Sequence, residues 1–223
     1  MPPITRRCRL SLLLVGFLIA SVEGAAACGN GKLMLEDKFT TLDPAWDFKN
    51  SDPTDTSTRT NGPGGLTYQL DEEALVWPLN TAAKHENYEV CAVFETKSSA
   101  DNMYLVGVRF WSLDDDNYYE ANIFPSDQTY EINAYKQGES VGGADEKQDD
   151  AIVKGESVTN EISVTVNGNV ATLLINGKKV ADVTGQPPSG GSYFGFVMST
   201  DEESTATVTL KSIHLREVGT AQP

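Results

Sequence analysis

Apolar and polar residues alternate with a period of two along most of this chain, and no stretch carries an apolar stripe at helical spacing. In Tyr88–Thr96, Tyr88, Val90, Ala92 and Phe94 fall on one face. In Asn102–Ser112, Tyr104, Val106, Val108 and Phe110 do the same. The pattern predicts further strands at Leu33–Phe39, Leu66–Leu70, Ala74–Leu79, Tyr118–Phe124, Thr129–Lys136, Glu161–Val166, Val170–Ile175, Lys179–Val183, Tyr193–Ser199 and Thr205–Glu217. Asn167-Gly168 and Asn176-Gly177 stand between the strands of a meander, and Asn-Gly readily takes the positive φ of tight hairpins. Residues 40–65 are rich in Thr, Asp, Pro and Gly and read as a long surface loop, pinned to the core by Trp46 and Phe48. Residues 138–157 read as a second solvated loop. Eleven or twelve short strands with turn residues between them predict an all-β antiparallel sandwich, in one domain over about residues 30–219.

The first 27 residues have a different character. Arg6, Arg7 and Arg9 precede an apolar run from Leu10 to Ala20, and Ala25-Ala26-Ala27 follows. Charge, apolar core and small residues in that order read as an export signal over residues 1–27. A membrane span needs roughly 20 apolar residues, about twice this run. The remainder, residues 28–223, is the expected mature domain, periplasmic or secreted. Cys28 directly follows the small residues, which leaves a lipid anchor at Cys28 as a minority alternative. Cys28 and Cys91 are the two cysteines beyond the signal, and in an oxidising compartment they suggest one disulfide, with two free thiols as the other reading.

The net charge is −15, and removing three arginines against one glutamate makes the mature chain two units more negative. That field disfavours nucleic acid and anionic membranes as partners. It suits neutral sugars and divalent cations. Asp114-Asp115-Asp116-Asn117 and Asp145–Asp150 are the acidic stretches that could contribute to calcium binding, although neither has the spacing of an EF-hand loop. His85 and His214 lack metal-ligand spacing, so no metal site is assigned.

The segment Val158–Thr200, with "LLINGKKVADV", then "SGG" and "YFGFVMS", resembles the concanavalin A-like lectin/glucanase superfamily. It is most similar to the laminin G-like and 3-keto-disaccharide hydrolase-like branches. Gly107–Ile123 ("GVRFWSLDDDNYYEANI") and Leu35–Phe48 ("LEDKFTTLDPAWDF") fit the same pattern. The resemblance implies a jelly roll of two curved sheets, with a concave face where many relatives bind sugars. Glycoside hydrolases of family 16 share this fold and carry a Glu-x-Asp-x-x-Glu strand. No such pattern exists here, so no catalytic residue is carried over.

Alternation also predicts which side chains face away from the core. On three sequence-adjacent strands these are Arg109 and Trp111, then Tyr118, Glu120 and Asn122, then Glu131, Asn133 and Tyr135. Aromatic rings, amides, carboxylates and a guanidinium suit sugar recognition. An ordinary solvated face with pairs such as Arg109–Glu120 is the plain alternative. Glu120 and Glu131 are the candidates for a catalytic carboxyl pair, which would need burial to raise one pKa. Three functions follow as expectations: a non-catalytic module binding a glycan or a cell-envelope partner, a glycosidase of the 3-keto-disaccharide hydrolase type, or a structural envelope or adhesion protein. Oligomeric state is not legible.

Overall fold

The computed structural model describes residues 28–48, 58–99 and 102–218. Residues 1–27, read above as an export signal, therefore lie outside the described residues. No helix among them is long and apolar enough to cross a membrane.

Among the described residues, fifteen strands form two antiparallel sheets. They are β1 (Leu33–Asp37), β2 (Thr58–Gly62), β3 (Gly65–Leu70), β4 (Leu75–Val76), β5 (Leu79–His85), β6 (Tyr88–Lys97), β7 (Tyr104–Ser112), β8 (Tyr118–Phe124), β9 (Thr129–Lys136), β10 (Glu139–Gln148), β11 (Ser157–Asn167), β12 (Val170–Ile175), β13 (Lys178–Thr184), β14 (Ser192–Thr200) and β15 (Ala206–Arg216). The first sheet runs β13-β12-β11-β6-β15-β3-β2, with β1 beside the end of β15. The second runs β10-β9-β8-β7-β14-β4, with β5 also on β14.

The expected core alternation holds. Phe94, Ala92 and Val90 on β6 face Val106, Val108, Phe196 and Ile132 from the other sheet in one cluster of buried side chains. Trp46 and Phe48 pin the segment after β1, and Trp46 meets Phe39, Phe194 and Phe196 at ring distances of 5.5–5.8 Å. The two hairpins form where Asn-Gly predicted them. Asn176 and Gly177 both take positive φ, as a type I′ turn requires. In the other, Gly168 alone does so.

Three strands lie where loops were expected. β10 occupies half of the stretch read as a solvated loop, β2 lies inside the long 40–65 loop, and β5 extends past Leu79. All three sit at sheet edges, and β10 and β2 expose most of their side chains. They are held by backbone pairing rather than by apolar burial, so the hydrophobic pattern carries no trace of them.

Cys28 and Cys91 are joined by a disulfide, with Cα atoms 5.7 Å apart. The bond leaves no thiol for a lipid on Cys28. It lays residues 28–32 over the outer face of the first sheet, where the Gly29 amide donates to Glu89 at 2.6 Å and Arg216 donates to the Gly31 carbonyl at 3.0 Å.

Candidate functional site

The antiparallel registers of β14, β7, β8, β9 and β10 align the predicted outward residues into rungs. One rung reads Gly195, Arg109, Glu120, Asn133, Gly143. The next reads Val197, Gly107, Asn122, Glu131. Tyr118 pairs with Tyr135 at the end of the same face, and their rings stack at 4.7 Å. Seven of the eight predicted residues thus share one surface of the second sheet.

Trp111 is the exception. Its φ of 47° breaks the alternation, so Phe110 and Trp111 both turn inward, and the indole is 2% exposed. The buried Tyr88 hydroxyl holds this kink by accepting the Trp111 amide proton at 3.1 Å. Burial pushes the Tyr88 pKa up to about 12, so the hydroxyl stays neutral.

The seven are not equally accessible. Arg109, Glu120 and Asn122 are buried, whereas Tyr118, Glu131, Asn133 and Tyr135 are half-buried. Arg109 Nε lies 3.6 Å from Glu120 Oε2, and its guanidinium sits 3.7 Å from the centre of the Tyr118 ring. Asn122 Nδ2 donates to Glu120 Oε1 at 3.1 Å and to Glu131 Oε1 at 3.4 Å. Asn133 Nδ2 donates to the same Glu131 oxygen at 2.7 Å. Gly107 makes room for this network, because a Cβ there would overlap Asn122 Oδ1.

Burial raises the Glu120 pKa above the ordinary carboxylate range, and the Glu131 charge adds to that; Arg109 and Asn122 pull the other way. The network is also incomplete. Arg109 Nε and Nη1 and Asn122 Oδ1 are buried without a hydrogen-bond partner. Leaving such groups unsatisfied costs free energy, about 1–3 kcal/mol each. A water or ligand polar group would relieve it.

The acidic stretches fit a metal only in part. Asp149 and Asp150 are engaged by Lys178. Asp114 accepts from the Asp116 amide and from Asn117 within its own turn. Desolvation raises the Asp115 pKa against the pull of Arg109, and the charges of Asp47, Asp114 and Asp116 add to the rise. Among the described residues, the metal-ligand side chains that converge are Cys28, Cys91 and His214, and the two sulfurs are bonded to one another.

No protein-family model matches the chain, and no curated protein matches it by sequence. Solved structures do match. A β-glucanase of Bacillus licheniformis superposes with a TM-score of 0.58 at 9% identity, over 85% of this chain and 100% of that one. The carbohydrate-binding module CBM66 of Bacillus subtilis gives 0.54 at 14% identity, over 78% and 96%. The VIP36 exoplasmic/lumenal domain, solved with Ca2+ and Man3GlcNAc, gives 0.54 at 12%, over 81% and 86%. The fold is the concanavalin A-like sandwich. The chemistry-bearing side chains of this chain gather on the second sheet.

Sequence reasoning did not find two features of this region. The first is the burial of Arg109, Glu120 and Asn122, since alternation assigns a face but not what covers it. The second is the trough beside Glu131 and Asn133, which β10 walls with Ser140, Asp145 and Glu146.

Proposed function

We propose that this chain is an exported carbohydrate-binding domain that receives a glycan on the outer face of its second sheet. The observation that carries the reading is the buried, partly unsatisfied set of Arg109 and Asn122, continuous with half-buried Glu131, Asn133, Tyr118 and Tyr135. Sugar hydroxyls both donate and accept, so they can pair with carboxylate, amide and guanidinium groups at once, while the tyrosine rings pack on the apolar face of a pyranose. The fold neighbours named for carbohydrate binding or cleavage support the same reading, as do the export signal and the disulfide, which suit an extracytoplasmic domain. The residues fit calcium only in part, and no step of the proposed binding runs through it.

Glu131→Ala and Asn133→Ala should each weaken glycan affinity about tenfold, the loss of one good hydrogen bond, while lowering Tm by no more than roughly 5 °C, so that both variants stay folded. Glycan-array screening followed by isothermal titration checks this. A protein that binds no sugar on the array, or variants with unchanged affinity, would count against the outer face.

One observation favours cleavage as a second reading. Glu120 and Glu131 sit on the same Asn122 nitrogen, so the two contacting oxygens are no further apart than the sum of those two distances. That bound admits the separation of about 5–5.5 Å used by retaining glycosidases. Glu120, with its raised pKa, would be the acid and Glu131 the nucleophile. Incubation with 3-keto-glycosides and unmodified glycosides should then release sugar, and Glu120→Gln or Glu131→Gln should abolish release while sparing binding. No release from any substrate leaves the binding function alone.

A further inference from the structure

The chain carries a second cavity with different chemistry. At one end of the sandwich, the β7–β8 turn, the β9–β10 turn and the connection from β13 to β14 enclose a groove of about 710 Å3. That lies within the range of about 300–1,000 Å3 found for small-ligand sites. Its walls include Trp111, Tyr119, Tyr118, Tyr135 and Pro188. Tyr119 stands edge-on to Trp111 at 4.9 Å, with an interplanar angle of 82°.

We propose that this groove is a second carbohydrate subsite, taking neutral hexose units of the glycan that reaches it from the outer face. Three features point there, two of them at Trp111. The first is the backbone strain at Trp111. A tryptophan at positive φ costs stability, and such residues cluster at functional sites. Here the kink takes the indole off the outer face and makes it a wall of the groove. Gly185 answers it, because a Cβ at that position would overlap the Trp111 ring.

The second feature is an unsatisfied donor. Trp111 Nε1 is buried without a hydrogen-bond partner. Its ring is a wall common to this groove and to an adjoining pocket of about 290 Å3 beside His85 and Gly191. A buried N–H without an acceptor is uncommon and calls for a partner.

The third feature is charge. Among the described residues lining the groove there is no carboxylate, and Lys136 is the single charge, in a chain of net charge −15. A cationic ligand would find no counter-charge and an anionic one would meet an opposing field. Aromatic rings with the Asn117 and Gln186 amides suit neutral rings bearing hydroxyls. Tyr118 and Tyr135 belong both to the groove and to the outer face, so one oligosaccharide could lie across both. The sugar identity of the ligand rests on the glycan reading above; the groove, the strain and the unpaired donor do not.

Nuclear magnetic resonance of 15N-labelled protein separates the two sites. The Trp111 indole N–H, assigned by its loss in Trp111→Phe, reports on the groove, and the Asn122 and Asn133 side-chain amides report on the outer face. Laminaritetraose, cellotetraose and mannotetraose are the probes. At least one should shift the indole resonance saturably. Leu113→Asp with Val141→Asp, at exposed positions on the groove rim, should weaken that response at least tenfold and spare the amide response. Shifts confined to Asn122 and Asn133, or an indole response indifferent to the rim variant, overturn the groove and leave the outer face standing. Shifts confined to Trp111 support the groove and overturn the outer face. Silence at both positions with all three probes overturns both.

Discussion

Replacing both Cys28 and Cys91 by alanine should lower stability by about 4 kcal/mol, the loop-closure value for the 63-residue separation they span. For a domain of this size that corresponds to a fall in Tm of roughly 10 °C. The bridge joins the start of the described chain to β6, a central strand of the first sheet. Without it, residues 28–32 keep their hydrogen bonds to Glu89 and Arg216 and the Glu217 amide's bond to the Lys32 carbonyl. These are few, so the segment should fray first and β1 after it. Scanning calorimetry of the double variant checks the value, and wild-type protein under reductant should show the same drop. A Tm that moves by less than about 2 °C would mean that the segment is held by its hydrogen bonds alone.

Arg109→Met should be costlier than any change to the exposed charges. It strands Glu120, a buried carboxyl, without its cation, at about 3–5 kcal/mol near pH 7. The double variant Arg109→Met with Glu120→Gln should recover most of that loss, because a buried pair can often be replaced together at little cost. The pH dependence has a fixed sign. The folded-state pKa of Glu120 is raised above its unfolded value. Its favourable contribution is therefore complete below the unfolded pKa and is lost as pH rises through the folded one. Removing Arg109 lifts the folded value further, so the deficit of Arg109→Met should shrink as pH falls from 7 towards 5. Urea denaturation at several pH values measures it. A deficit that is flat with pH, or a double variant no better than the single one, would assign the loss to the guanidinium's stacking on Tyr118.

The sandwich was legible because its central strands turn one face into the apolar core, which writes period-two alternation into Tyr88–Thr96, Tyr104–Phe110 and Tyr193–Ser199. The edge strands were not, since β2 and β10 are satisfied by backbone hydrogen bonds that leave side-chain identity free. The outer face followed from the same alternation for Arg109, Glu120, Asn122, Glu131 and Asn133. It failed at Trp111 for a local reason. A positive φ at a bulky residue cannot be read from neighbours, and the hydroxyl that stabilises it belongs to Tyr88, 23 positions away. The burial of Arg109 was equally hidden, because the ring that covers it belongs to Tyr118 on the next strand.

The far border of the second sheet has a consequence for how copies of this chain meet. β10 leaves one row of backbone groups unpaired at that border, an open template for another strand. Its register slips twice against β9, and consecutive glycines at φ 139° and 143° sit between the slips. Asp145, Glu146 and Lys147 follow after Ala144. A visiting strand would find neither a straight ladder nor a neutral row of side chains, so shape and charge together resist sheet-to-sheet polymerisation at this edge.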